Sequence, residues 1–367
     1  MATGFLWHER YMWHSTGIAA GQIPAGGYVE PDNHIESVPS KRRFRSLIEV
    51  SGLAEQLAPL TPRHASEDEL LRFHTPDYLK AVKEMSEAGY GDAGELAPIG
   101  PDSFDIARLS AGGCIVGLDA VLAGSVGNAY VLNRPPGHHA EADRGRGFCI
   151  FANVVIAVLH GFAERGLQRV ATFDWDVHHG NGAQKAFYDR DDVLTISLHQ
   201  DNYYPQDSGG MDERGTGPGM GYNINVPLPA GSGHGAYVET VRRVVVPALE
   251  RFKPDVIVVP SGFDANAMDP LGRQMCTSET FRAMTGVLME AADRLCGGRL
   301  LMCHEGGYSQ VYVPWCGLAT VETLSGHRTP AEDPYLPDYL ATLAGQELEP
   351  WQDEVIARAE TLVADVK

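Results

Sequence analysis

Residues 169–182 read RVATFDWDVHHGNG. The first eight, RVATFDWD (169–176), form a compact apolar run that turns acidic at its end, and the rest crowd histidine, asparagine and glycine together. A buried strand that runs straight into a polar, glycine-bearing loop is the repeating unit of a parallel sheet. Such a sheet is covered on both faces and meets its ligands beyond the carboxyl ends of the strands. Four more stretches share the pattern: NAYVLN (128–133), VLTISLH (193–199), DVIVVPSGFD (255–264) and RLLMCHEGG (299–307). Amphipathic stretches of helical length lie between many of them: Asn153 to Arg165, His234 to Phe252 and Ser278 to Cys296. The second places Tyr237, Val241, Val244, Val245 and Leu249 on roughly one face. Strands alternating with helices predict an α/β fold in three layers around a central, mostly parallel sheet.

The chain has 367 residues and no internal repeat, low-complexity tract or evident linker, so one domain spanning 1–367 is expected. Hydrophobic residues make up 44% and charged residues 21%, near the averages for a globular protein. No stretch reaches the roughly 20 apolar residues of a membrane span, and MATGFLWHERYMWH lacks the features of a signal peptide. The six cysteines form no CxxC pair, and several sit in apolar runs such as GFCIF and RLLMCHEGG. Buried free thiols and a cytoplasmic location are therefore expected. A net charge of −19 argues against nucleic acid as a partner and accords, weakly, with a cationic substrate.

The strand-end rule makes a prediction about chemistry: Asn133, Asp174, Asp176, His199, Asp264 and His304–Tyr308 should converge. Asp176 and His178 are two apart and, on an extended segment, point the same way, with Asp174 on the same side. A carboxylate and an imidazole are good zinc ligands, and Asp264, ending an apolar strand, is the best candidate for a third. Three protein ligands with an open fourth position is the pattern of a catalytic zinc. The adjacent His138 and His139 follow a rigid Pro-Pro-Gly turn. Such a pair can ligate metal, transfer protons or simply be polar loop residues. Tyr308, after two glycines, can close a core edge or donate a hydrogen bond to a developing oxyanion.

Taken in order, RPPGHHA, DWDVHHGNG, ISLHQ, SGFDA and EGGYS resemble the motifs of the histone deacetylase family, above all its class II branch and the bacterial histone-deacetylase-like amidohydrolases. The match runs from about Lys41 to about Leu324, leaving a C-terminal helical extension, about 330–367, that includes an amphipathic stretch from Trp351 to Val366. The resemblance implies an arginase–deacetylase type fold and removal of acetyl or similar groups from lysine-like amines or polyamines. It implies zinc on Asp176, His178 and Asp264, His138 and His139 as the proton-transfer pair, and Tyr308 as the carbonyl-polarising hydroxyl. Asp174 would partner His138, and Asn181 would partner His139. Many class I members carry Asp at that last position, so His139 here should be less readily protonated than His138.

The resemblance further implies potassium beside the zinc, on Asp174, Ser197 and the carbonyls of Asp176, His178 and Leu198. A second potassium would sit near Phe187, Arg190, Val193 and Tyr222. Gly147, Phe148 and Tyr204 would form the substrate tunnel, with Tyr203 competing for the place of Tyr204, which is Phe in many members. Arg42 or Arg43 would line a product exit, against the plainer reading of SKRRFRSL as a solvated basic run. A homo-oligomer, dimer or tetramer, is expected. Two rival readings stand beside these: a binuclear manganese hydrolase of arginase type, and a non-catalytic reader of acylated amines.

Overall fold

Eight strands form the central sheet of the computed structural model, which describes residues 1–337 and 342–367. In chain order they are β1 (Thr3–Leu6), β2 (Ala58–Leu60), β3 (Asn128–Val131), β4 (Val170–Asp174), β5 (Val193–Gln200), β6 (Asn223–Leu228), β7 (Val256–Ser261) and β8 (Leu300–His304). They lie side by side as β6-β5-β4-β7-β8-β3-β1-β2, every neighbouring pair parallel. The five strands read from the sequence are all present, whereas β1, β2 and β6 were not anticipated. The strand containing Asp174 stops there, and β7 stops at Ser261, so Asp176 and Asp264 occupy loops.

Alternation along the strands divides the core in two. Ile257, Val259, Leu300 and Met302 enter one cluster, and Val256, Val258, Leu301 and Cys303 the other. The first is covered by α1 (Val38–Val50), by α5 (Ser278–Cys296) and by α6 (Val313–Ser325), through Phe44, Phe281 and Leu318. The second is covered by α2 (Ser103–Leu122) and α3 (Asn153–Arg165), through Ile115 and Ile156. A short α4 (Asn181–Phe187) follows the loop after β4. Helix, sheet and helix thus stack in the three layers expected.

The stretch from His234 to Phe252 is not uniform. α-Helical His234–Thr240 and Val246–Phe252 flank a π-helical Val241–Val245. Pro247 lacks an N–H, and its ring would crowd the carbonyl four residues earlier; a wider turn before it relieves both problems. The C-terminal helix α7 (Pro350–Leu362) buries Ile356 and Ala359 in the same cluster that includes Ile224 and Val226 of edge strand β6. It is tied down by Arg243, whose Nε donates to Glu360 Oε1 at 2.7 Å. The expected helix to Val366 therefore ends earlier, in a 3-10 turn Val363–Asp365, and packs on its own chain. Residues 338–341 of the expected extension lie outside the described residues. Among the described residues no helix is long and apolar enough to cross a membrane.

Candidate active site

The three strands β4, β7 and β8 are neighbours at the middle of the sheet, and their carboxyl ends carry the site. After Asp174 the chain turns rather than extends. Asp176 N donates to Asp174 Oδ1 at 3.0 Å, and His178 N donates to Asp176 Oδ1 at 3.0 Å. These turns, not the two-residue alternation of a strand, bring Asp174, Asp176 and His178 together. Val177 N donates to Asp264 Oδ1 at 2.8 Å, and Gly306 N donates to Asp176 Oδ2 at 2.8 Å, so all three loops are joined. Glycine is required where they meet: a Cβ on Gly306 would lie 2.0 Å from Asp264 Oδ2, and one on Gly262 2.0 Å from Asp176 Oδ2.

Asp176, His178 and Asp264 offer ligand atoms that all lie within 4.8 Å of one another. His178 Nδ1 is 3.0 Å from Asp176 Oδ1 and 3.2 Å from Asp264 Oδ2, yet Asp264 Oδ2 has no well-formed hydrogen bond. Both carboxylates are wholly buried. Burial and the charge of Asp176 push the Asp264 carboxyl up to about 7. Two buried carboxylates and one imidazole, with an acceptor left over, form a donor set that a divalent cation would satisfy. A second group, His138, Cys149 and Glu305, has similar spacing. It is the weaker candidate: Glu305 Oε1 is unpartnered, but burial raises the Cys149 thiol well above its usual range, and Glu305 Oε2 already accepts from Gly137 N (2.6 Å) and His138 N (3.0 Å).

The rings of the histidine pair lie with centroids 3.9 Å apart, tilted 39° to each other. His138 Nδ1 contacts Asp174 Oδ2 at 2.9 Å, and its Nε2 is 3.7 Å from Asp176 Oδ2. Burial opposes a charge on His138, but Asp176 and Asp174 outweigh it and raise the ring to about 10. His139 Nδ1 contacts Asn181 Oδ1 at 2.7 Å. Burial, then His138 and His178, holds His139 well below the usual histidine range. His139 is thus the less readily protonated of the two, but burial and the neighbouring histidines set that difference, and the Asn181 hydrogen bond opposes it.

A cavity of about 170 Å³ opens over these groups, lined by His139, Gly147, Phe148, His178, Tyr308, Leu271 and both tyrosines 203 and 204. Tyr204 stands edge-on to His139 at 5.0 Å, while Tyr203 stacks on His178 at 5.7 Å, so the two share the wall. The Tyr204 hydroxyl donates to Glu95 Oε1 at 3.2 Å. Phe148 and Tyr308 meet edge-on at 5.7 Å. Phe148 has φ of 70°, an unfavourable backbone for a bulky residue, and is held there by Phe148 N donating to Leu96 O at 2.7 Å.

Neither Arg42 nor Arg43 reaches the site; both are exposed, and Arg42 pairs with Glu9. The solvated reading of the basic run holds for these two. The buried cation of that run is Lys41, which pairs with Glu36 at 3.0 Å; Arg134 pairs with the same carboxylate at 2.8 Å. All three are 1% exposed, and Lys41 Nζ lies 5.3 Å from the Tyr308 ring centroid. Sequence reasoning missed Glu36, Arg134 and Asp269, and placed Glu305 at the site only as part of His304–Tyr308, with no role of its own. Of the three missed, only Asp269, five residues past Asp264, had a signal in its position.

The residues named for potassium fall in two places. Asp174 is beside Ser197, whose Oγ accepts from Gly180 N at 3.2 Å and contacts His199 Nδ1 at 2.9 Å; Leu198 follows on β5. Further off, Phe187 O accepts from Arg190 N at 3.1 Å and Tyr222 O from Thr195 N at 2.9 Å, near Val193. The Arg190 side chain is itself paired with Asp192.

A parallel three-layer fold with an Asp-His-Asp group, a histidine pair and a tyrosine at the central strand ends defines a metallohydrolase-like class of site. The histone deacetylase domain model matches residues 34–324. A histone deacetylase-like amidohydrolase of Pseudomonas aeruginosa is 52% identical over 335 residues, 90% of this chain and 88% of that protein. A probable deacetylase of Archaeoglobus fulgidus is 34% identical over 345 residues, covering 93% and 92%. The crystal structure of the HDA15 HD domain superposes with a TM-score of 0.82 at 31% identity, covering 98% of this chain and 99% of that one. The chain belongs to the histone deacetylase family.

Proposed function

We propose that the chain is a zinc-dependent amide hydrolase that removes acetyl or similar small acyl groups from lysine side chains or from acetylated amines such as polyamines. The observation that carries this reading is the meeting, at one aromatic-walled cavity, of the Asp176–His178–Asp264 group with the His138–His139 pair and Tyr308. Zinc suits an Asp-His-Asp set, and when bound there it would activate water and polarise the substrate carbonyl. Asn181 Nδ2 donates to His139 O at 3.1 Å and to Glu141 Oε1 at 3.0 Å, which turns its Oδ1 toward His139. His139 Nδ1 therefore carries the hydrogen, and Nε2 is the free nitrogen.

From Nε2, His139 takes the proton of the attacking water and later returns it to the departing amine. His138, whose Nδ1 is held by Asp174 Oδ2 at 2.9 Å, adds positive potential and orientation beside it rather than acting as the base. Burial keeps the Tyr308 hydroxyl protonated, so it donates to the developing oxyanion. Phe148 and Tyr204 flank the amine's methylene shank, and Gly147 presents its backbone to it. Potassium ions at Asp174, Asp176, His178, Ser197 and Leu198, and at Phe187, Arg190, Val193 and Tyr222, are proposed as structural on the family resemblance alone. The six free, buried cysteines support a reducing compartment such as the cytoplasm.

The test is hydrolysis by zinc-loaded protein of acetyl-lysine peptides, acetylated polyamines and longer acyl amides, with Asp176→Ala as control. Turnover lost in the variant, with one zinc per chain in the parent, supports the reading. Full zinc occupancy without turnover of any substrate would favour a reader of acylated amines instead.

A further inference from the structure

The loop bearing Tyr308 is anchored at both ends by side chains that the proposed chemistry does not use. Before the tyrosine, Gly307 has φ of 127°, a conformation with little intrinsic stiffness, and its carbonyl accepts from Ser40 Oγ at 3.0 Å. After it stands Asp269. Its Oδ2 accepts from Tyr308 N at 2.8 Å and Ser309 N at 3.1 Å, while its Oδ1 accepts from Leu271 N at 2.9 Å. Asn266 Nδ2 adds a long contact of 3.4 Å.

Asp269 is buried. A buried carboxylate is tolerated only when its lone pairs are taken, and here three backbone N–H groups take them. Those same N–H groups would otherwise be donors without acceptors. Two of the three belong to Tyr308 and Leu271, which both line the cavity. One carboxylate thus fixes the position of a proposed oxyanion donor relative to a wall of the tunnel.

We propose that Asp269 is a positioning residue that holds Tyr308 where its hydroxyl meets the reacting carbonyl. This rests on reading Tyr308 as the oxyanion donor. The hydroxyl sits at the end of a long side chain, so a small change in backbone direction is amplified at its tip. A displacement of about 1 Å at a reacting group costs on the order of 10² in rate.

The test compares Asp269→Ala and Asp269→Asn, each alone and combined with Tyr308→Phe, by steady-state kinetics on an acetyl-lysine peptide and by amide hydrogen exchange. Asp269→Ala is expected to lower kcat by about 10- to 100-fold while KM stays within about threefold. Asp269→Asn keeps one acceptor oxygen and should fall between; it also serves if the alanine variant does not fold. In the Tyr308→Phe background the further loss should be under about threefold, because the hydroxyl being positioned is gone. The amides of Tyr308, Ser309 and Leu271 should exchange faster in both Asp269 variants. An equal loss of kcat in both backgrounds, or unchanged exchange at those amides, would overturn the proposal. Wild-type protein that hydrolyses nothing would overturn the catalytic reading of Tyr308 and the rate claim built on it. The exchange measurement would still decide whether Asp269 holds the loop.

Discussion

Replacing Asn181 with aspartate alters the charge beside His139 while hardly changing its size. The present contact, His139 Nδ1 to Asn181 Oδ1, is 2.7 Å. A carboxylate there, with charge centres about 4 Å apart and an effective dielectric of about 20, attracts the charged ring by about 4 kcal/mol, or roughly three pKa units. Part of that is lost. Asn181 Nδ2 now donates to Glu141 Oε1 at 3.0 Å and His139 O at 3.1 Å, and an aspartate oxygen would face both. Glu141 is countered by Arg144, Arg146 and Lys185, so the repulsion is reduced but not removed. The expected rise for His139 is about one to two units. A base must be neutral to work, so raising its pKa moves the acidic limb of the rate profile to higher pH. The assay is kcat/KM for an acetyl-lysine peptide across pH at constant zinc and ionic strength, since that limb reports the free enzyme's base. A limb that stays in place, or moves to lower pH, would refute His139 as the base whose charge Asn181 sets.

Arg134→Ala should cost about 3–5 kcal/mol in urea unfolding, because Glu36 would keep only Lys41 and the carbonyls of Tyr11 and His14 would lose their donor. Against burial, Arg134 and Lys41 hold Glu36 well below the usual carboxylate range. That stabilisation is present above the unfolded value near about 4.3 and is lost as pH falls through the folded one, so the variant's acid-unfolding midpoint should rise. Gly306→Ala should weaken zinc binding by about 10- to 100-fold in a chelator competition, because its methyl would lie 2.0 Å from Asp264 Oδ2 and 2.6 Å from Asp176 Oδ2.

The sheet was readable where its strands are long and apolar, as in β5 and β7, and at the loops that follow them. β1 and β2 were missed because TGFL and APL are too short to show a period, and Pro59 argues against a strand. In β6, NINVPL sets Asn223 and Asn225 between apolar residues and adds Pro227, so it resembles a loop. Of the site, Asp176, His178, Asp264, His138, His139 and Tyr308 were legible as ligand-type or proton-bearing residues at strand ends. The reason given for Asp176 and His178 was wrong in detail, since turns rather than strand alternation bring them together. Glu36, Lys41 and Arg134 look like solvated charges in sequence, and their burial is explained only in three dimensions, by their mutual pairing and by Arg134 donating to the carbonyls of Tyr11 and His14.

The order β4-β7-β8 at the middle of the sheet also constrains when the site can exist during synthesis and folding. The bonds Val177–Asp264 and Asp176–Gly306 join residues 87 and 130 positions apart. No fragment of the growing chain short of β8 holds the whole constellation, and pairings this distant close late and slowly. The proposed metal ligands span Asp176 to Asp264, so an ion that needs all three can bind only once β7 and the loop after it are in place. It would act as a late lock on the native state, stabilising it in proportion to the logarithm of free metal, rather than as a seed around which the chain folds.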